Sequence, residues 1–503
     1  MKILEKTLPL PSVSAAVAMA VSYYAYPFLI SPGYRFIVIL LFLFLLVICF
    51  LFVLRDIPGI NTKRISVMCF LVIAAAAGFS LGISARRSVS TQVEMAFQPE
   101  RIRAISGTIT EDPRSLHGGS GMGRLALGSC AAQGGLRGSA RGTITVFYPA
   151  ESIPRLKEFG RGSEVYLDGV YTDGIRGPLF RATSVHIVSP ASALEQFRTG
   201  LRLKLLQSFQ GRAGQQGQRP PVWGALASAL LLGVRDDLDT DLSEGFRNSG
   251  CSHILALSGM HLAILSGLLA FLLRRPLGIR WASLCGAVFI ILYVFIAGSQ
   301  PSLVRAAIMY LIGCFAIWGF LPTKALSLLC LAFIIQLLIQ SETGVTPSFI
   351  LSYLALAGIL TLGENFRSLF RGRIPLVLSV SLSASLGAFI LASPVVVLFF
   401  GVLRPIGILA SLILAPLASL FMILALCALA ASFLPFPLWT VFDFALGFLY
   451  RLLELFVYLA GQVPGLHISN PVPVLVFVIF FCFFVLFIQK RDEAYRNNLA
   501  SFD

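Results

Sequence analysis

The run PLVLSVSLSASLGAFILASPVVVLFF at residues 375–400 contains no charged side chain. A single helix needs about 20 such residues to cross the roughly 30 Å hydrocarbon core of a bilayer. The same character extends over the whole chain of 503 residues, of which 57% are hydrophobic and 13% charged. Soluble domains carry about 25% charged residues, so this composition excludes a water-soluble globule and an intrinsically disordered chain. The sequence therefore predicts a polytopic α-helical membrane protein.

Apolar runs of this kind recur and predict about twelve transmembrane helices. Three of them precede a polar stretch that begins at Arg86 and Arg87, and nine follow it. A cleaved signal peptide is the alternative for the first run. The predicted spans are 11–30, 35–54, 65–83, 253–273, 281–298, 303–320, 325–340, 347–362, 375–400, 404–432, 437–461 and 472–489.

Loop charges predict the orientation, because Lys and Arg in short loops favour the cytoplasm. With both termini inside, the cationic loops at 55–64, 274–280 and 363–374 also lie inside, and residues 85–220 are exported. This count requires that the apolar segment 222–233 is re-entrant or interfacial. The predicted units are three helices at 1–84, an exported β domain at 85–190, an amphipathic helix and re-entrant segment at 191–252, a bundle of about nine helices at 253–489, and a cytoplasmic tail at 490–503.

The exported segment has the pattern of a small β domain. Short stretches with alternating polarity at 102–109, 142–148, 164–171 and 179–187 predict strands. We expect an OB-like barrel, with an immunoglobulin-like sandwich as the alternative. The Gly/Ser-rich stretch 117–139 predicts a flexible loop, and 193–210 predicts a basic amphipathic helix on the membrane surface.

Residues 85–220 contain 18 Lys and Arg against 10 Asp and Glu, so this segment contributes about +8 to the net charge of +15. Orientation does not account for cations on the exported side, whereas a polyanionic ligand does. A solvated surface with incidental charge is the alternative. The candidate contacts to single-stranded DNA are Arg101, Arg103, Arg141, Arg181, Phe147 and Tyr148.

Polar residues inside apolar runs are candidates for function, since they are costly in lipid. On one continuous helix, His253, Ser258 and His261 would project toward the same half. They could line a pore, act as a Ser/His hydrolase, or be satisfied by neighbouring helices. Small residues on the same half predict close helix packing: Gly259, Ala263 and Gly267.

Further candidates lie toward the C-terminus. Pro301 suits the first turn of a helix, and Arg305 lies one turn further in, where it could receive a phosphate or snorkel to the interface. Asp443 and Arg451 share one helix face with Glu454; they could line a polar interior, or Arg451 and Glu454 could compensate each other.

No cofactor or metal site is predicted. The nine cysteines lack metal-ligand spacing, and a disulfide of Cys130 is left open. The acidic stretch at 236–244 departs from a calcium loop, so Asp239 or Thr240 is interpreted as a helix N-cap.

Four runs together resemble the competence-protein family of DNA-uptake channels, the ComEC type: LGVR at 232–235, GCSHILALSGMH at 250–261, GSQPSLVRAAIM at 298–309 and PSFILSYLALAG at 347–358. The resemblance implies a non-enzymatic channel in the bacterial inner membrane, through which single-stranded DNA enters the cytoplasm during natural transformation. It also implies a DNA receptor, a separate nuclease and a cytoplasmic motor as partners, besides membrane lipid. The polar positions that correspond to the family pattern are Arg235, His253, Ser258, His261, Ser302 and Arg305.

Many members of that family continue into a C-terminal domain of metallo-β-lactamase type. This chain ends at Asp503 and has no His-x-His-x-Asp-His motif, so we expect a form without that domain and without nuclease activity. The alternative function is a secondary transporter of a small anion. Such a transporter predicts related halves, and the runs at 250–261 and 298–309 are not repeated elsewhere.

Overall fold

The computed structural model describes residues 11–30, 62–89, 93–116, 119–134, 136–174, 177–209, 221–431 and 439–481. The predicted span 35–54, the end of the last span and the tail 490–503 lie outside these residues. The helices are α1 Pro11–Ile30, α2 Thr62–Val89, α3 Ile153–Phe159, α4 Ala193–Phe209, α5 Val222–Leu232, α6 Thr240–Asn248, α7 Ser252–Leu255, α8 Gly259–Ala297, α9 Pro301–Trp318, α10 Ala325–Ile339, α11 Pro347–Phe370, α12 Leu376–Phe400, α13 Ile406–Ala431, α14 Trp439–Gly461 and α15 Val472–Phe481.

A β-barrel occupies the middle of the sequence. β2 pairs with β4 and β7, β7 pairs with β8, β8 runs parallel to β6, and β6 pairs with β4, so five strands close into a ring. The four predicted strand segments are confirmed as strands. The strands are β1 Glu94–Met95, β2 Ile102–Ile109, β3 Arg114–Ser115, β4 Gly121–Ala132, β5 Arg137–Arg141, β6 Thr143–Tyr148, β7 Glu164–Gly174, β8 Gly177–Ser189, β9 Val402–Leu403 and β10 Leu466–His467.

The Gly-rich stretch is part of this barrel, and the prediction of a flexible loop at 117–139 is wrong. It contains β4 and the start of β5. Two of its glycines face the interior, where a Cβ at Gly121 would lie 3.0 Å from Ile153 and one at Gly123 would lie 3.1 Å from the Tyr148 ring. Large side chains from other elements therefore fill the space that these glycines leave.

Six helices of the described residues are long and apolar enough to cross a membrane: α8, α9, α11, α12, α13 and residues 441–461 of α14. Shorter apolar helices accompany them, including parts of α1 and α2. This is the architecture of a polytopic helical membrane protein. α5 has 11 residues, a length of about 17 Å that is too short to cross, and most of its side chains are buried in the bundle core.

α8 is a helical hairpin. Its helical backbone is interrupted at Gly278, where φ is 75°. Near the start of α9, Ser302 Oγ donates to the carbonyl of Leu257 at 2.6 Å, whereas near its end Cys314 Sγ donates to the carbonyl of Ser283 at 3.3 Å. Because Ala297 leads directly into α9, both ends of α8 lie at the same end of the bundle. Its two halves match the two spans predicted in this region.

The loops at that end contact one another. Arg404, between α12 and α13, donates to the backbone carbonyl and the side-chain oxygen of Asn248 at 2.8 and 3.0 Å. β9 and β10 pair beside it. Tyr23 of α1 donates to the carbonyl of Ser341 at 2.6 Å, which joins the N-terminal helices to the loop after α10.

The barrel is fixed to this end of the bundle. Lys157 of α3 forms an ion pair of 2.6 Å with Asp236, in the loop between α5 and α6. We call this side of the molecule the barrel end of the bundle.

Candidate functional site

The polar segment 249–261 lies at the barrel end, and it is not one helix as predicted. Asp239 is the N-cap of α6, as interpreted from the sequence, and its Oδ1 accepts from the backbone N–H of Asp241 at 3.0 Å. The short helix α7 carries His253 and ends at Leu255, after which Ala256 and Ser258 have extended backbone. α8 then begins at Gly259. His253 and His261 therefore belong to different helices.

His261 fixes the start of α8. Its side chain is fully buried, and its Nδ1 accepts from the backbone N–H of Ser258 at 3.1 Å, which is half of a capping box. The neutral ring then carries its proton on Nε2, and that nitrogen has no partner among the described residues. The contact is with the backbone of Ser258, so it gives His261 a capping role. His253 is exposed and lies within electrostatic range of His261.

Gly259 allows α9 to approach α8 closely. A Cβ at this position would lie 3.0 Å from Arg305 Nη2 and 3.3 Å from Ala306. Among the described residues, a Cβ at Gly267 would meet no atom within 4 Å and the residue is exposed, so these residues do not form the close packing predicted there. Ala263 is exposed too. Of the three small residues, Gly259 is therefore the one that packs closely against another described helix. Ser302 has a structural contact, its bond to Leu257.

Arg305 belongs to a buried polar network and does not snorkel. Its side chain, 8% exposed, donates to the carbonyl of Ser352, and its guanidinium carbon lies 5.8 Å from the centroid of the Tyr353 ring. Tyr353 donates to Gln336 Oε1 at 2.8 Å, and Gln336 Nε2 donates to the carbonyl of Pro301 at 3.0 Å. This network joins α9, α10 and α11. Arg305 Nε has no partner among the described residues.

Sequence reasoning missed Gln336 and Tyr353 as members of this network. Gln336 is the one amide within the apolar run of α10, and a lone polar residue at that depth is the signal that could have found it.

Asp443 and Arg451 lie on the exposed side of α14. The buried side is apolar and includes Leu446, Leu453 and Val457. Asp443 accepts from Trp223 Nε1 at 2.7 Å. Within the described part of the chain, no ion pair joins Arg451 to Glu454, so the self-compensating pair is not formed.

α4 holds the barrel by buried ion pairs, a role that the prediction of a basic amphipathic helix on the membrane surface did not include. Arg198, only 2% exposed, pairs with Asp112 at 2.6 Å and with Glu195 at 2.6 Å. Arg202 also pairs with Asp112. Asp112 lies in the loop between β2 and β3, so these arginines face the barrel. Leu194 and Phe197 of the same helix are exposed.

The charges of this cluster hold both carboxylates ionised. Burial alone would raise the pKa of Asp112, but the hydrogen bond from Arg198 and the charge of Arg202 outweigh it and hold that pKa below its ordinary value. The pKa of Glu195 is lowered in the same way, since hydrogen bonds from Arg161 and Arg198 outweigh the effect of its burial.

Arg235 lies where the barrel meets the bundle, next to Asp236 and its ion pair with Lys157. Its side chain is exposed. We call this contact region the seam and define it by the loop 111–114 of the barrel, α3, α4 and the loop 235–236.

The predicted DNA-contact residues of the barrel differ in their exposure to solvent. Arg101, Arg103, Arg141 and Arg181 are exposed, as contacts to a ligand must be. The prediction for Tyr148 is wrong: its side chain alternates with Phe147 along β6, points into the barrel and is 1% exposed.

Strand pairing brings one aromatic and one cation together on the outside of the barrel. Phe147 of β6 lies beside Arg181 of β8 in the parallel register and opposite Met122 of β4. Arg141 lies on β5 beside Glu94 of β1, outside the ring of five strands.

The described residues contain no group of three His, Cys, Asp or Glu side chains that could hold a metal ion. Cys130 and Cys251 are both buried free thiols, so the disulfide that was left open for Cys130 is not formed between them.

Residues 230–492 match the competence protein family. The chain belongs to this family. The match begins just before Arg235 and includes the segment 249–261, the buried network of Arg305 and the whole of α14. The barrel and α4 precede it.

Curated relatives align with about half of this competence-family chain. It is 27% identical over 286 residues to the ComE operon protein 3 of Bacillus subtilis (strain 168), which is 54% of this chain and 35% of the relative. An uncharacterized protein of Aquifex aeolicus (strain VF5) is 25% identical over 52% of this chain and 59% of its own length. The uncharacterized protein YcaI of Escherichia coli (strain K12) is 26% identical over 52% of this chain and 36% of its own length. The alignments thus span about a third to three-fifths of these relatives. No solved structure matches the chain.

Proposed function

We propose that this competence-family chain forms a channel in the bacterial inner membrane that takes single-stranded DNA into the cytoplasm during natural transformation. The observation that carries the proposal is the attachment of the barrel, with its exposed arginines, to the end of the bundle where the polar segment 249–261 lies. A strand bound on the barrel is then next to the polar segment 249–261.

The barrel is proposed as the receiving domain. Its ring order β2-β4-β6-β8-β7, with β6 and β8 parallel and α3 between β6 and β7, supports an OB fold. Barrels of that type bind oligonucleotides on their sheet face. Phe147 could stack on a base while the neighbouring Arg181 binds phosphate, which is the combination found in single-strand binding proteins.

The barrel end of the bundle offers further groups that suit an anionic strand. α8, α9 and α11 all begin there, so their free N–H groups and partial positive charges point toward the barrel. His261 Nε2 and Arg305 Nε are buried donors without a partner among the described residues. A passing phosphate or base edge would satisfy them.

The chain acts in this proposal as a conduit and carries out no covalent chemistry. The opposite end of the bundle carries Arg274, Arg280 and Arg371, the charge distribution of a cytoplasmic face. A DNA receptor outside, a separate nuclease and a cytoplasmic motor complete the proposed pathway, and the motor or a ratchet supplies the energy.

A transformation assay tests the function directly. A strain that lacks the gene should lose transformation and regain it with the wild-type chain. The double variant Phe147→Ala, Arg181→Gln should restore transformation only weakly because it removes the proposed stacking and phosphate contacts. Arg137→Gln, an exposed arginine on β5, is the matched control and should restore it fully. Normal transformation without the gene would refute the proposal, as would full restoration by the double variant.

A further inference from the structure

An arginine lies against aromatic rings at the end of the bundle opposite the barrel. Arg280 is in the first turn of the second half of α8, and its guanidinium carbon lies 4.1 Å from the centroid of the Phe320 ring and 6.0 Å from that of Trp318. Trp281 meets Trp318 edge to face, with ring centroids 5.7 Å apart. We call this group of side chains the hairpin cluster: Arg280, Trp281, Trp318 and Phe320.

Phe320 occupies a backbone position at which glycine is usual. The N–H of Leu321 donates to the carbonyl of Ala316 at 2.9 Å, which is the bond that closes a Schellman motif at the end of α9. Phe320 has a φ of 52° and is the one non-glycine residue with a positive φ in the part of the chain that the structure describes. Such a conformation is unfavourable for a residue with a Cβ and points to a function of its side chain.

The ring of Phe320 does not compensate for this conformation by burial. It is 82% exposed, and the cation that it contacts is Arg280. Attraction between a guanidinium and the face of an aromatic ring holds the two together. Phe320 therefore fixes the position of Arg280.

Arg280 has no counter-ion within the described ranges, where its side chain makes neither an ion pair nor a hydrogen bond. The sequence from 245 to 341 contains no Asp or Glu at all. In the loop 363–374, at the same end of the bundle, the one carboxylate is Glu364, and it lies 3.7 Å from Arg367. The other cations of this end are Arg274, Arg275, Lys324, Arg367, Arg371 and Arg373.

The contact with aromatic rings distinguishes Arg280 from those other cations, none of which makes such a contact with a described residue. A guanidinium that stacks on a ring keeps its N–H donors free, because they lie in its plane and point outward from its edge. Two of them can bind the oxygens of one phosphate in parallel. The hairpin cluster thus presents a fixed phosphate-binding edge.

The two tryptophans indicate where this edge lies relative to a bilayer. Trp281 is near the start of the second half of α8, Trp318 is the last residue of α9, and both are exposed. Tryptophan at the ends of apolar helices prefers the level of the lipid headgroups, where its ring contacts the acyl chains and its N–H contacts water. Arg280 is therefore at the depth of lipid phosphates.

We propose that the hairpin cluster binds the headgroup of an anionic phospholipid, such as phosphatidylglycerol, on the side of the membrane opposite the barrel. Arg280 donates to the phosphate oxygens, Phe320 holds the guanidinium, and the exposed indoles contact the upper part of the acyl chains. The surrounding cations favour an anionic headgroup over a zwitterionic one. This inference goes beyond the proposed function and does not rest on it.

Native mass spectrometry tests it by counting the lipids that stay bound. The full chain is solubilised in a mild detergent and mixed with increasing phosphatidylglycerol or phosphatidylcholine. The wild-type chain should bind phosphatidylglycerol more tightly. Arg280→Gln should weaken that binding about tenfold or more, the effect of losing a charge-assisted hydrogen bond. Phe320→Leu keeps the charge but removes the ring, so it should weaken the binding about two- to fivefold.

Each variant has a matched control at the same end of the bundle. Arg274→Gln removes an exposed cation, and Phe315→Leu removes an exposed ring of α9; neither residue belongs to the hairpin cluster. Both controls should bind phosphatidylglycerol as the wild type does. If Arg280→Gln lowers the stability of the lipid-free chain, Phe320→Leu decides the question with the charge intact.

Several results would overturn the inference. The first is equal binding of the two lipids by the wild-type chain, and the second is wild-type affinity in both cluster variants. The third is an equal loss in Arg274→Gln and Arg280→Gln, which would show a general effect of charge. An excess of oligothymidylate should leave phosphatidylglycerol bound, and its displacement would identify a nucleic-acid site instead. The proposed function is tested separately, by transformation.

Discussion

Asp112→Asn should loosen the attachment of the barrel more than any other single substitution of a carboxylate. Asp112 accepts from Arg198 Nη2 at 2.6 Å and Nη1 at 3.1 Å, and it also pairs with Arg202. The amide removes the negative charge but keeps the size of the side chain. Arg198, 2% exposed, then keeps only Glu195 as a counter-ion.

The magnitude follows from the burial of the two partners. Removing one member of a fully buried pair costs about 3–5 kcal/mol. Asp112 is 28% exposed, and Arg198 retains one carboxylate, so we expect the lower value of about 2–3 kcal/mol. Each 1.4 kcal/mol is a factor of ten, so amide exchange in α4 should become about 30- to 140-fold faster.

Hydrogen exchange with mass spectrometry on the full chain measures this. Peptides from α4 and from the loop 111–116 should lose protection, while peptides from α12 should not change. Glu151→Gln, which alters an exposed carboxylate beside α3, is the control. If Asp112→Asn and Glu151→Gln gave the same exchange in α4, the assignment of the buried ion pairs as the anchor of the barrel would be wrong.

The same cluster predicts a dependence on pH. The pKa values of Asp112 and Glu195 are lowered on folding, so their stabilising contribution is present above their unfolded values of about 4. It is lost as the pH falls through the lowered folded values. Protection of α4, corrected for intrinsic exchange, should be constant from neutral pH to about pH 5 and decrease below about pH 4. In Asp112→Asn this decrease should be smaller, and an equal decrease would contradict the argument.

Two substitutions in the bundle have defined outcomes in thermal unfolding of the detergent-solubilised chain. A Cβ at Gly358 would overlap the backbone of α12, so Gly358→Ala should destabilise the protein by about 1–3 kcal/mol. Gly313→Ala is the control, since a Cβ there meets no described atom within 4 Å, and it should not destabilise the protein. Equal unfolding midpoints for the two variants would refute the close packing at Gly358. Tyr353→Phe leaves the buried oxygen of Gln336 without its donor, so it should destabilise the protein by about 1–3 kcal/mol. Tyr458→Phe, at an exposed site, is the control and should have no effect. A wild-type unfolding midpoint for Tyr353→Phe would refute the buried network.

The architecture could be predicted because it depends on local pattern. Length of an apolar run identifies a helix that can cross a bilayer, and alternation identified β2, β6, β7 and β8. β4 was missed because Gly121 and Gly123 have no side chain to show alternation. The side chains that fill the space beside these two glycines belong to Ile153 and Tyr148, which are distant from them in the sequence.

The candidate site was predictable only in part. The residue types were singled out by their cost in lipid, but their partners were not visible. Ser258 lies in a run whose apolar periodicity continues through it, so the helix boundary that it caps was hidden. The partner of Arg198 could not be recognised in the sequence, because Asp112 is 86 residues away in the chain. Ion pairs between distant segments leave no periodic signal in a sequence.

The anchor of the barrel has a consequence for the order in which the protein is made. Chains emerge from the N-terminus, and domains fold as units during synthesis. The partners that hold the barrel are Arg198, Arg202 and Asp236, and all three are synthesised after β8 but before α8, the first of the six long apolar helices. Residues 93–239 can therefore complete every ion pair of the anchor before those six helices exist. The barrel is then a template already in place at the membrane, against which the rest of the bundle assembles.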